Sequence, residues 1–196
     1  MSEPRSHRSD STGTRDRPTG NTRARIQQVA LDLFSERGYE KTALREIAEE
    51  LGVTKAALYY HFKTKEDIVR SIFTDSAEKI DELVEWAHTQ PRTLDTRREV
   101  IRRYAALMSG DLKLMRFLQE NQPTLRDLSI GETMKQRMTN LFEVLSDDDA
   151  PLADQLRARL AVFSIGMSLF AMRDKDYSAD EVSAASVEVA LDLIRG

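Results

Sequence analysis

Residues 44–69 read LREIAEELGVTKAALYYHFKTKEDIV, and this stretch decides the fold. Leu44, Ile47, Ala48 and Leu51 recur at helical spacing behind Thr42, a good N-cap, so a short helix is predicted, and Gly52 ends it. A further helix is predicted from about Thr54 to His61, and Thr64 opens the next with Asp67 three residues on, a capping-box arrangement. Two brief helices joined by one glycine-containing turn form the helix-turn-helix pattern. Within the second of them Leu58 and Phe62 lie four apart and face inward with Val53. That leaves Thr54, Lys55, Ala57, Tyr59, Tyr60 and His61 on the other faces. Adjacent exposed tyrosines are costly on a plain surface but fit a DNA duplex, where phenol hydroxyls bond phosphate oxygens. Ala56 and Ala57 let such a helix sink into the major groove. Lys63 and Lys65 add positive charge where the next helix's dipole already favours a phosphate.

Outward from this stretch nearly every segment has helical periodicity. Ile26, Val29, Ala30, Leu33 and Phe34 mark a first helix, stopped by Gly38. The helix opened by Thr64 is long, with Ile68, Ile72, Phe73, Ile80, Leu83, Val84 and Ala87 on one face as far as Pro91. Val100, Ile101, Tyr104 and Met108 predict a fifth, ended by Gly110. Leu114, Met115 and Leu118 predict a short sixth, closed by the turn at 121–123. Met134, Met138, Leu141, Phe142 and Leu145 predict a seventh. Pro151 suits the first position of an eighth, which runs to about Met172 and is apolar on nearly all sides after Leu160. Val182, Ala185, Val189, Leu193 and Ile194 give a ninth. The class is all-α with nine helices: a three-helix N-terminal domain over 22–67 and a helical domain over 68–196. Residues 1–21 lack Leu, Ile, Val, Phe, Tyr and Trp and are expected to form a flexible polar arm.

Composition narrows the function. The 196 residues carry a net charge of −4, which on its own argues against a general nucleic-acid coat. The charge is unevenly spread, with thirteen basic and eleven acidic residues before Phe73 and sixteen and twenty-two from there on. There is no cysteine, and His7, His61 and His88 are the only histidines, so disulfides, thiolate metal sites and cysteine chemistry are excluded and no cofactor is called for. The longest apolar run is too short to span a bilayer and the start has no secretion-signal core, so the expectation is a cytoplasmic protein. Glycine-rich phosphate loops, GxSxG and HExxH are absent, so the chain is read as a non-enzyme.

The stretch from Thr22 to Phe73, above all residues 44–69 with Leu58-Tyr59-Tyr60-His61-Phe62 followed by Lys63, resembles the DNA-binding domain of TetR-family transcriptional regulators. The resemblance implies a three-helix reading domain hung from the fourth helix, with a ligand-binding and dimerising helical domain behind it. It also places Lys55, Ala57, Tyr59, Tyr60, His61 and Lys65 on DNA-contacting positions, with Thr42 and Arg45 as further contacts. Lys55 is the base-reading candidate, while Tyr59, Tyr60, His61 and Lys65 are phosphate candidates. Two readings stay open for Tyr60, which can instead pack partly in the core, and for His61, which can instead cap or pack. Arg5, Arg8, Arg15 and Arg17 of the arm are either solvated or supplementary DNA contacts.

The eighth and ninth helices combine surplus apolar surface with small residues, Gly166, Ser168 and Ala171 and then Ser183, Ala184, Ser186 and Ala190. They suit packing against a second copy, and the resemblance implies a four-helix dimer interface from the last two helices of each subunit. Such a homodimer presents two reading helices to a palindromic duplex with half-sites ~34–36 Å apart. Trp86, Tyr104, Met108, Met115, Phe117, Met134, Met138, Phe142 and Met167 are either ordinary core or the lining of an adaptable pocket for a small apolar effector. The output expected is repression relieved by that effector. Control by a protein partner, operation without a ligand, and activation remain alternatives.

Overall fold

The computed structural model describes residues 19–121 and 130–195. Nine helices lie among these described residues: α1 (Thr19–Arg37), α2 (Leu44–Leu51), α3 (Lys55–His61), α4 (Lys65–His88), α5 (Leu94–Gly110), α6 (Leu112–Glu120), α7 (Ile130–Leu145), α8 (Leu152–Ala171) and α9 (Ala179–Leu193). The expected count of nine was for the whole chain, and 122–129, with most of the turn at 121–123, lies outside the described residues. So do residues 1–18, including the arm arginines; α1 begins at Thr19, inside the arm expected to reach residue 21.

Two boundaries differ from expectation for local reasons. Thr42 does not cap α2; its N-cap is Ala43, whose amide donates to the Glu46 carboxylate at 2.7 Å. Thr42 turns inward, 2% exposed, and its hydroxyl donates to the Gly38 carbonyl at 2.9 Å, stapling the turn that Gly38 opens at φ 88°. Pro151 is the N-cap of α8, not its first helical residue, because its ψ of 140° is extended. Gly110 is the last residue of α5, and α6 starts after Asp111 alone.

Two apolar cores share the long α4. The first gathers Ile26, Ala30, Leu33 and Phe34 of α1, Ile47 and Ala48 of α2, Leu58 and Phe62 from α3 and its exit, and Ile68, Val69 and Phe73 of α4. The second gathers Ile80, Leu83, Val84 and Ala87 from the other half of α4 with residues of α5, α7, α8 and α9. Burial of such side chains stabilises by roughly 1.5–3 kcal/mol each. α6 does not belong wholly to the second group. Its Leu114 and Phe117 are buried in the first core, where the Phe117 ring lies 5.7 Å from Phe34 and 5.8 Å from Tyr39. Polar links run beside this contact: the Ser76 hydroxyl donates to Asp111 at 2.6 Å, Lys79 pairs with Asp111 at 3.3 Å, and Lys113 pairs with Asp32.

Candidate nucleic-acid interface

α2 closes on Gly52 in the left-handed region (φ 65°), two residues later the Thr54 hydroxyl accepts the Ala57 amide at 3.2 Å, and α3 begins. This tight joint swings α3 outward while Leu58, fully buried, and Phe62, 3% exposed, anchor it. Its outer face presents Thr54, Lys55, Ala56, Ala57 and Tyr60, all exposed, flanked by the half-buried Tyr59 and His61. Tyr60 is 75% exposed and meets the His61 ring edge-on at 5.2 Å, so its body is not in the core. The Lys55 ammonium lies 5.6 Å from the Tyr59 ring centroid, a contact that leaves it at the surface. Lys63 folds back to donate to the Tyr59 carbonyl at 2.6 Å, satisfying an orphan acceptor at the end of α3.

Of the remaining expected contacts, Thr42 and Lys65 turn toward the chain itself and Arg45 does not. Arg45 is exposed on α2 and pairs with Glu49 at 3.5 Å. Thr42 offers no hydroxyl to a duplex, because burial and the Gly38 carbonyl occupy it. Lys65 is half-buried: its ammonium donates to the Tyr39 carbonyl at 2.7 Å and stands 4.3 Å from the centre of the Tyr39 ring.

Two residues of this region escape the sequence reading. Tyr39 follows the Gly38 stop and packs its ring on Phe34 at 5.1 Å, the apolar contact that commonly accompanies a glycine-terminated helix. A Phe, then Gly, then Tyr at this spacing was the available signal. The Tyr39 hydroxyl donates to Glu66 at 2.8 Å, and burial followed by that partner pushes its phenol far up. Burial pulls the Glu66 carboxyl upward, but its own helix-start amide, the Tyr39 and Thr64 hydroxyls and the Lys65 charge together hold it below the usual carboxylate value. The second is Arg23, whose guanidinium lies 4.9 Å from the Phe62 ring centroid, beside the exit of α3. No pattern in the sequence marks that contact.

The effector candidates do not converge on one lining. Tyr104 and Met108 are buried in the second core, with Trp86, Met138 and Phe142 half-buried against it. Burial pushes the Tyr104 phenol up to about 12. Trp86 carries the Arg103 guanidinium 3.7 Å from its ring centre. Met134 touches both cores. Phe117 is buried in the first core, apart from the second core that holds Tyr104 and Met108. Met167 is 46% exposed on the outside of α8. The Met115 side chain lies outside the described residues. Among the described residues no group of histidines or carboxylates is placed to hold a metal, and no helix is long and apolar enough to cross a membrane.

A short, outward-facing helix of this chemistry behind a glycine turn defines a helix-turn-helix DNA-binding regulator. Residues 26–72 match the family of bacterial regulatory proteins called the tetR family. The chain is 31% identical over 167 residues to a helix-turn-helix transcriptional repressor of Mycobacterium tuberculosis, covering 82% of this chain and 80% of that protein. It is 48% identical over 62 residues to the transcriptional regulator AcrR of Shigella flexneri, a match spanning 32% of this chain and only 29% of that protein's length. The fold is shared with the regulator FadR of Bacillus subtilis, solved in complex with stearoyl-CoA, at a TM-score of 0.63 and 22% identity over 88% of this chain and 98% of that one. The chain belongs to the TetR family and is a DNA-binding transcriptional regulator.

Proposed function

We propose that the chain is a homodimeric repressor that holds a palindromic operator through α3 and releases it when a small effector occupies the helical domain. In this reading residues 22–67 read DNA and 68–196 sense and dimerise. The observation that carries it is the outer face of α3, where Tyr60 is three-quarters exposed beside the exposed Lys55, Thr54 and Ala57. Lys55 reads a base edge; Thr54, Tyr60 and His61 contact phosphate and sugar, Ala57 permits the approach, and Tyr59 and Lys65 hold the face in position. Arg45 adds a phosphate contact from α2.

Dimerisation through α8 and α9 is supported by the outer stripe of α8, in which Leu152, Leu156, Leu160, Phe163, Met167 and Phe170 are all exposed. A stripe at steps of three and four over five turns matches a partner helix. A small effector is supported by the fold neighbour solved with stearoyl-CoA, and the repressor output by the mycobacterial relative. The test is selection of bound duplexes from random DNA. A palindrome with half-sites about one turn apart is expected, and a Lys55→Ala, Tyr60→Ala double variant that keeps full affinity for it would overturn the assignment of the reading face.

A further inference from the structure

Two ligand-sized cavities open among the described residues. One, about 650 Å³, lies where α1, α4 and the α5–α6 corner meet. Its charged groups already have partners: Lys79 with Asp111, Lys113 with Asp32, and Asp75 with the Gln27 amide at 2.6 Å. The other, about 540 Å³, lies between the end of α5, α6, the second half of α8, and the turn leading into α9. Its apolar lining includes Met108, Ile165, Leu169 and Val182. Its polar lining holds three cations, Arg116, Arg173 and Lys175, against the single carboxylate of Glu120.

The cations differ in what they touch. Arg173 stacks over Phe170 at 4.3 Å and pairs with Asp174 at 3.6 Å. Arg116 and Lys175 are exposed and their charges have no partner among the described residues. Two cations without partners therefore stand at the lining of a cavity that also has an apolar side, and a volume of this size suits a drug-sized ligand. We infer that this cavity is the effector site and takes an amphiphile with an anionic head, carboxylate or phosphate, whose apolar part lies against Met108, Ile165, Leu169 and Val182 and whose head meets Arg116 and Lys175. The inference rests on the effector control proposed above and names its chemistry. Its location supplies the readout: Arg116 projects from α6, whose Leu114 and Phe117 are embedded in the reading-domain core, so a ligand that holds Arg116 biases the helix on which that core closes.

Titration calorimetry of the full chain with decanoate, decyl phosphate, decanol and decylammonium, all kept below micelle formation, tests it. One or both anions should bind at least tenfold more tightly than the alcohol and the cation. An Arg116→Gln, Lys175→Gln double variant should lose about tenfold in anion affinity while decanol binding changes less than twofold, and Glu120→Gln should tighten the anion. Equal affinities for all four head groups, or an unchanged anion affinity in the double variant, overturn the inference. The duplex recovered by selection separates the two levels. If the wild type binds it while decanoate and decyl phosphate show no preference, DNA recognition stands and the anionic effector falls; if no duplex is recovered, the proposed function itself falls.

Discussion

A lysine near a reading helix is ordinarily counted as a phosphate contact, and Lys65 shows why its surroundings decide the matter. Its ammonium is held by the Tyr39 carbonyl and ring, so removing it takes a charged donor from a carbonyl that keeps only the longer Thr42 amide bond at 3.3 Å, and a cation from the ring. Lys65→Ala is therefore expected to lower the unfolding midpoint, by about 1 kcal/mol of stability, with little change in the salt dependence of operator binding. Lys55 is the opposite case, exposed and touching only the Tyr59 ring. Lys55→Ala should leave the midpoint unchanged and cost about 1–3 kcal/mol at one operator position, read by competition among single-base variants of the site. Glu66 adds a pH dependence. A carboxyl held below its usual value in the folded chain contributes stability that is complete above that value and drains away as pH falls through the lowered one. Acid titration followed by circular dichroism should thus show a shallower loss for Glu66→Gln than for the wild type. Thr42 reads as the N-cap of α2, a place the structure gives to Ala43: the cap rule sees only the helix that follows, whereas the Gly38 carbonyl that takes the Thr42 hydroxyl belongs to the turn before.

At the scale of elements, periodicity located each helix among the described residues, because every one has a face to bury. It did not say which core a face enters. Leu114 reads with Met115 and Leu118 as the apolar face of the sixth helix and Phe117 as core or pocket lining, and the spacing of Leu114 and Phe117 is the same whether they pack on α5 or on α1. The link at Asp111 is a single residue, and the α6 that follows it buries both side chains in the first core, with Phe117 against Phe34 and Tyr39. Phe117→Ala is expected to cost about 3–5 kcal/mol, as large-to-small changes in a closed core do, and to weaken operator binding although the residue is far along the chain from α3. Denaturant unfolding monitored beside a DNA-binding titration checks both. The outward face of α3 was legible for a simpler reason: Tyr60 and Lys55 have no place in a three-helix core already closed by Leu58 and Phe62.

For the whole molecule, the exposed apolar stripe of α8 and the exposed face of α3 lie on different helices, so the assembly and DNA contact proposed for them are separable by mutation. Phe163→Asp with Met167→Glu should yield a folded monomer by sedimentation, with unchanged helicity but operator affinity reduced to that of a single half-site. The chain from Phe73 onward carries sixteen basic against twenty-two acidic residues, a balance that disfavours non-specific attraction to a duplex. The shared core has a further consequence for exchange between relatives. Strong identity to the Shigella regulator is confined to 62 residues, which invites the view that the reading head is a detachable cassette. Yet the head of this chain is closed by two side chains supplied from residues 114 and 117, beyond any such cassette. A graft that carried the head alone would leave Phe34 and Tyr39 facing a foreign helix, so heads and bodies can be recombined only where the incoming α6 brings its own matching plug.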